Sequence, residues 1–568
     1  MDLATLVRHA RGDAPADLLL RHARVVNVFS GEIEETNVAV FRTRIVGLGD
    51  YAAEQVLDLD GAYVAPGFID AHVHIESAMV PPGEFARAVV PRGTTTVVID
   101  PHEIANVLGL DGIRFMFDCA KYGPLSMYVM VSSCVPATTL ETSGAVLHAE
   151  DLVSFRSDPW VRGLAEVMNY RSVVAGDAEV LRKLQVFDGG IVDGHAPQLS
   201  GKALQAYVAA GIQSDHECTT PEEAREKLRL GMTIFIREGT IARNLAALVP
   251  LVTAATQHRF CFCTDDRQPA DLLDLGHIDH LVRYGIELGL DPITSIRLAT
   301  CNPAAYFRMY DRGGIAPGRR ADMVVFDDLR APKPRIVFRG GQMVARDGEM
   351  LVQPRPTPAR GLRGTINIAW DKVGLRIPAV GRVARVIGVI PGDLNTLELH
   401  EPIASEEGTA VTDTSRDIVK LAVIERHMAS GATGLGFVKG LGLARGAIAS
   451  SVAHDHHNLV VAGADDESML TAARRVARLN GGMVAAEGER VIAEAPLPLA
   501  GLMSTAPVET VRTQVDDILR AAASLGSRLH DPFMTMSFLA LEVIPALKLT
   551  DRGLVDATRM EYVPLWVE

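Results

Sequence analysis

Between residues 67 and 265 the chain repeats one pattern eight times: a short apolar run of strand length, then a stretch long enough for a helix. The runs are GFIDAHVH (67–74), TTTVVID (94–100), LSMYVMVSS (125–133), VRGLAEV (161–167), GIVDGH (190–195), GIQSDH (211–216), MTIFIRE (232–238) and RFCFCTD (259–265). Segments of helical pattern such as PEEAREKLRLG (221–231) and IARNLAALVPLVTAAT (241–256) lie between them. A strand that is apolar on both faces must be buried on both, and strands joined through helices run parallel. Eight such units close on themselves, so an α/β fold, a (β/α)8 TIM-like barrel, is expected over residues 66–312.

The flanks follow another rhythm. Residues 18–65 alternate short β-rich runs with turns, and the same pattern returns in GGIAPGRRADMVVFDD (313–328) and PRIVFRGGQMVARDGEM (334–350). Neither flank is long enough to stand alone, so residues 18–65 and 313–352 are expected to share one discontinuous β-sandwich. QPRPTPARGLRG (353–364) reads as a linker, and residues 365–568 as a further α/β domain.

Composition narrows the partners. The formal charge is −14 with no Lys/Arg-rich run, which argues against a nucleic-acid partner. The first twenty residues carry Asp2, Arg8, Arg11, Asp13 and Asp17, leaving no apolar core for a signal peptide, and no later stretch suits a membrane helix. A cytoplasmic enzyme with a small-molecule substrate is expected, as a homo-oligomer. The six cysteines contain no Cys-x-x-Cys, so they read as reduced and exclude the deaminase class whose zinc is held by that motif.

In such a barrel, functional groups sit at the C-terminal strand ends. His72 and His74 close the first strand, and an i, i+2 pair on a strand projects to one face. Glu166 ends the fourth, His195 the fifth, His216 the sixth and Asp265 the eighth. One buried histidine is usually a satisfied core residue, whereas six potential ligands at five strand ends describe a metal site. Asp100, His102 and Glu103 follow the second strand as candidate substrate-binding groups, Glu103 also as a catalytic one, with a helix cap as the alternative role for Asp100. Arg237 and Glu238 are expected to form a solvated ion pair or interface contact. His454, Asp455, His456 and His457 are expected in a surface or interface turn, with a lid over the barrel mouth as the alternative.

PGFIDAHVHIES (66–77), followed by GHAP, DHE and TDD, resembles the amidohydrolase superfamily over residues 18–350. Many binuclear members bridge their metals with a carboxylated lysine on the fourth strand. This chain has Glu166 there, in GLAEVMNY, and so resembles the adenine deaminases, as do IDPHEIANVLG (99–109), DGHAPQLSG (193–201), SDHECTTPEEA (214–224) and the tail from 365. The resemblance implies two divalent ions, Mn2+ or Fe2+ with Zn2+ also compatible. His72, His74 and Asp265 would hold one, His195 and His216 the other, with Glu166 bridging. It implies hydrolysis of adenine to hypoxanthine and ammonia, with Asp265 as the base. The alternatives are a deacetylase-type or cyclic-amide hydrolase of the same superfamily, and a catalytically silent barrel that only binds.

Overall fold

The structure, a computed structural model, describes residues 2–121, 123–354, 362 and 364–567. Most of the linker expected at 353–364 lies outside the described residues.

The eight expected barrel strands are present: Phe68–Val73, Thr94–Ile99, Ser126–Val131, Val161–Val167, Ile191–Gly194, Ser214–Asp215, Thr233–Arg237 and Phe260–Cys263. The first five pair in parallel in chain order, and so do the last three. Two seams are closed by main-chain bonds. Gln213 N donates to Val192 O at 2.9 Å between the fifth and sixth strands, and Asp265 N donates to His72 O at 3.0 Å between the eighth and first. Asp70 reinforces the second seam from inside. Its buried carboxylate accepts from Thr264 N at 3.2 Å and Thr264 Oγ1 at 2.5 Å, and lies 3.0 Å from His277 Nε2. Ordinary strand pairing therefore brings the ends of the first and eighth strands, and the polar residues there, to one point.

The two flanks share one nine-stranded sheet. Met323–Phe326 lies antiparallel to Tyr63–Pro66, which joins the C-terminal flank to the N-terminal one. The expected joining of the two flanks takes the form of this one sheet. The strand Ala16–Asn27 is long enough to pair Glu32–Phe41 on one edge and both Ala53–Asp58 and Tyr63–Pro66 on the other. Ile45 N then donates to Arg319 O at 2.9 Å, so the curl wraps a core that includes Leu20, Val38, Ile45, Met323 and Phe338.

The C-terminal region is built on an eight-stranded mixed sheet running from Thr396–Pro402 at one edge to Arg490–Pro496 at the other. The helix Asp466–Arg478 packs on it through Met469, Ala472, Ala473 and Val476, the i, i+3, i+4, i+7 spacing of one helix face. Asp465 caps that helix through Ser468 N, with Asp466 and Glu467 in its first turn and Arg475 and Arg478 in its last, each placed to favour the helix dipole. Among the described residues no helix is long and apolar enough to cross a membrane.

Candidate active site

The strand ends converge as their positions require. His72 and His74 Nε2 are 3.0 Å apart, and Asp265 Oδ1 lies 3.2 Å from each. Glu166 divides its two oxygens. Oε1 lies 3.2 Å from His74 Nε2 and 3.5 Å from His72 Nε2, while Oε2 lies 2.6 Å from His195 Nδ1 and 3.2 Å from His216 Nε2. All six side chains are buried.

The donor set fits divalent cations. The His74 Nδ1–H donates to Asp100 O at 3.0 Å, so Nε2 is the nitrogen turned inward, the one a metal ligand must present. His195 Nε2 is buried with no hydrogen-bond partner, leaving Nδ1 to face Glu166. His72, His216 and Asp265 form one group with metal-binding spacing, Glu166, His195 and His216 a second, and His74, Asp100, His102 and Glu166 a third. One carboxylate oxygen turned to each histidine pair is the arrangement that two cations sharing a ligand require.

Burial alone would raise the Glu166 carboxyl, but the charge of His216 and the hydrogen bond from His195 hold it well below the usual carboxylate range. Asp265 is likewise depressed against burial, chiefly by the Arg237 guanidinium. His216 shows the converse, with the Glu166 charge lifting it against burial to about 9. Asp265 sits at φ 56°, a left-handed conformation unusual for a residue with a Cβ. The Asp265 N to His72 O bond holds it there, and strain of this kind gathers at functional sites.

Arg237 is not solvated. It is 3% exposed, and its Nη1 donates to Asp265 Oδ2 at 2.8 Å and to Glu217 Oε1, with Nη2 donating to Glu217 Oε2 at 3.1 Å. Glu238 is also buried but faces away, accepting from Leu245 N at 3.2 Å. The expected exposed pair is thus replaced by a buried triad of Arg237, Glu217 and Asp265. Glu217 was not singled out in the sequence, and neither was Lys227. That fully buried ammonium donates to Asp215 Oδ2 at 3.0 Å, to Glu223 Oε1 at 2.7 Å and to Ala196 O at 2.7 Å. It thereby ties together the loops that follow His195 and His216.

The second-strand cluster reaches the same cavity. Asp100 accepts from the His102 main chain at 3.2 Å, and its Oδ2 lies 3.1 Å from His102 Nδ1, the nitrogen that also faces Glu166. His102 and Glu103 line the cavity. Burial opposes charge on His102, yet Asp100 and Asp455 hold it well above the ordinary imidazole value.

The expected surface turn at residues 454–457 is instead buried. His454 and Asp455 are each 2% exposed, His456 and His457 0%. His454 Nδ1 lies 2.6 Å from Glu103 Oε1, and His457 Nε2 contacts Glu103 Oε2. His457 Nδ1 accepts from Ala453 N at 3.2 Å, which leaves the proton on Nε2, facing the carboxylate. Burial would raise Glu103, but these two histidines keep it well below the usual range. The loop therefore lines the cavity at the barrel mouth.

Two family models match this chain: the amidohydrolase family over residues 63–347 and the adenine deaminase C-terminal domain over residues 393–561. Among curated proteins it is 49% identical over 563 residues to an adenine deaminase of Desulfatibacillum aliphaticivorans and 50% over 562 residues to adenine deaminase 2 of Carboxydothermus hydrogenoformans, covering 99% of both chains in each case. An adenine deaminase of Kosmotoga olearia is 45% identical over 573 residues, spanning all of this chain and 99% of its own. A barrel with these strand ends, joined to this C-terminal region and matched from end to end, belongs to the adenine deaminase family of amidohydrolases.

Proposed function

We propose that this chain hydrolyses adenine to hypoxanthine and ammonia at the barrel mouth. The full-length likeness to adenine deaminases supports the substrate, and the division of the Glu166 oxygens between two histidine pairs carries the chemistry. His72, His74 and Asp265 would hold one divalent ion, His195 and His216 the second, with Glu166 shared. Nitrogen and oxygen donors without thiolate suit Mn2+ or Fe2+, and also Zn2+. When bound, such ions lower the pKa of a water and so supply the nucleophile.

The chain's own groups do the rest. Asp265, kept ionised by Arg237, accepts the water's proton at Oδ1 and passes it to the departing amine. His102, set at the cavity wall between Asp100 and Asp455, is placed to donate to a ring nitrogen and so make the reacting carbon electrophilic. Glu103 is held ionised, so its part is to accept protons and to fix His454 and His457.

A deacetylase acting on a sugar phosphate would need a free cation to anchor the phosphate. Arg237 is the sole Arg or Lys among the described residues lining the cavity, and both Glu217 and Asp265 already occupy it. The absence of a free anchor favours an uncharged base. The remaining parts of the proposal are a cytoplasmic location and a homo-oligomer, the latter measured by light scattering of the purified protein.

An ammonia-release assay on iron- or manganese-loaded protein tests the reaction. Adenine is the expected substrate and adenosine a poor one; equal turnover of the two, or faster hydrolysis of an N-acetyl sugar phosphate, would sink it. Glu166→Gln tests the shared ligand. An amide presents one good donor oxygen where the carboxylate presents two, so metal content should fall below two ions per chain together with the rate. Two ions retained in that variant would show that Glu166 does not bridge.

A further inference from the structure

The wall of the cavity opposite the metal-binding strand ends comes from the C-terminal region, through Leu394, His454, Asp455, Phe538, Leu541 and Ile544. Its parts are fastened to one another. His454 N donates to Ser537 Oγ at 3.1 Å, and its ring stacks on Phe538 with centroids 4.5 Å apart and planes 6° from parallel. Lys548, fully buried, donates to the carbonyls of Leu394 at 2.9 Å and Phe538 at 2.8 Å. Arg426, also fully buried, donates to the main chain of His457 and, at 3.1 Å, of Ala500. Such a wall is preorganised rather than a loose flap.

Two polar atoms on this built wall are buried without a hydrogen-bond partner: Asp455 Oδ2 and His454 Nε2. A buried carboxylate oxygen left unsatisfied is costly, and in a ligand cavity it marks where a donor belongs. Asp455 Oδ1 lies 3.6 Å from His102 Nε2, and the far side of the same ring, His102 Nδ1, lies 3.5 Å from Glu166 Oε1. Asp455 and the metal-binding carboxylate thus stand at opposite ends of the His102 ring, which lines the same cavity. His454 Nδ1 faces Glu103, which leaves Nε2 to meet the neighbouring ring nitrogen.

We propose that Asp455 is the residue that recognises adenine as a free base, its Oδ2 accepting from the five-membered-ring N–H that a nucleoside lacks. The inference rests on adenine being the substrate. A site built to bind an N–H rejects the analogue without it far more strongly than an apolar pocket rejects added bulk. Asp455 acts here on specificity, while Leu394, Phe538 and Ile544 exclude the ribose by volume.

The test compares adenine with 9-methyladenine, which lacks that N–H yet adds only a methyl group. Metal-loaded wild-type protein should prefer adenine in kcat/KM by about 10²-fold or more. In Asp455→Ala, which leaves no acceptor at this position, the adenine value should fall by a similar factor while the 9-methyladenine value changes by less than about threefold, so the preference collapses. A purely structural role would lower both substrates alike and leave the ratio intact, which would overturn the assignment. Equal use of the two bases by wild-type protein would overturn it without any variant, so a poorly folding substitution does not shelter the idea. Failure of wild-type protein to release ammonia from adenine would instead remove the proposed reaction.

Discussion

Asp265→Asn should keep most of its metal and lose nearly all of its activity on adenine. The substitution preserves size and one donor oxygen but removes the group asked to accept and return a proton, a contribution of about 10²–10⁴ in rate. The surroundings show why the separation is not perfect. Asp265 Oδ1 faces His72 and His74 at 3.2 Å, and Oδ2 takes the Arg237 donor at 2.8 Å. An amide that turns its carbonyl to the histidines turns its NH2 toward Arg237, a donor against a donor. Some stability should therefore be lost, about 1–3 kcal/mol for a disrupted buried charged bond. Single-turnover assays alongside metal analysis read the two effects apart. A kcat within about tenfold of wild type with two ions bound would mean that Asp265 only holds metal.

The parts of this site that were legible in the sequence are those governed by local pattern. A histidine or carboxylate that ends a buried strand is visible as a polar residue closing an apolar run, and eight such runs place the ends on one rim. The curled flanking sheet was half legible: its strands could be read, but the single sheet depends on Ala16–Asn27 pairing two strands along one edge, which no local window contains. The turn at 454–457 was misread for the same reason. Four polar residues in a row look exposed, and what buries them is Glu103, some 350 residues earlier, together with Phe538. Arg237 is different, because the signal was present. Neighbours along an extended chain point to opposite faces, so Arg237, which ends the strand Thr233–Arg237, and Glu238 after it could not form a side-by-side pair. The i, i+2 rule that found His72 and His74 also sends one of these two residues into the barrel.

Arg237→Ala should be among the most destabilising substitutions in the barrel, by about 3–5 kcal/mol. The guanidinium is 3% exposed and lies between two carboxylates whose side chains are 4% and 6% exposed, so its loss leaves Glu217 and Asp265 facing each other without a counter-charge. Removing one partner of a buried pair costs more than the pair ever contributed, because the remaining charge stays desolvated. Two further measurements separate this cause from lost packing. Combining Arg237→Ala with Glu217→Ala removes one of the stranded charges, so the double variant should recover stability relative to Arg237→Ala alone. The effect should also depend on pH. Arg237 depresses the Asp265 carboxyl in the folded state, so its contribution is complete above the ordinary aspartate pKa of about 3.9 and is lost as pH falls through the lower folded value. The gap between wild type and variant should be full at neutral pH and narrow in acid. Metal should narrow it as well, since a cation on Asp265 replaces part of the missing charge. Denaturant unfolding of metal-free and metal-loaded protein reads all of these differences, and a metal-free variant within about 1 kcal/mol of wild type would show that the triad is not what holds the carboxylates in place.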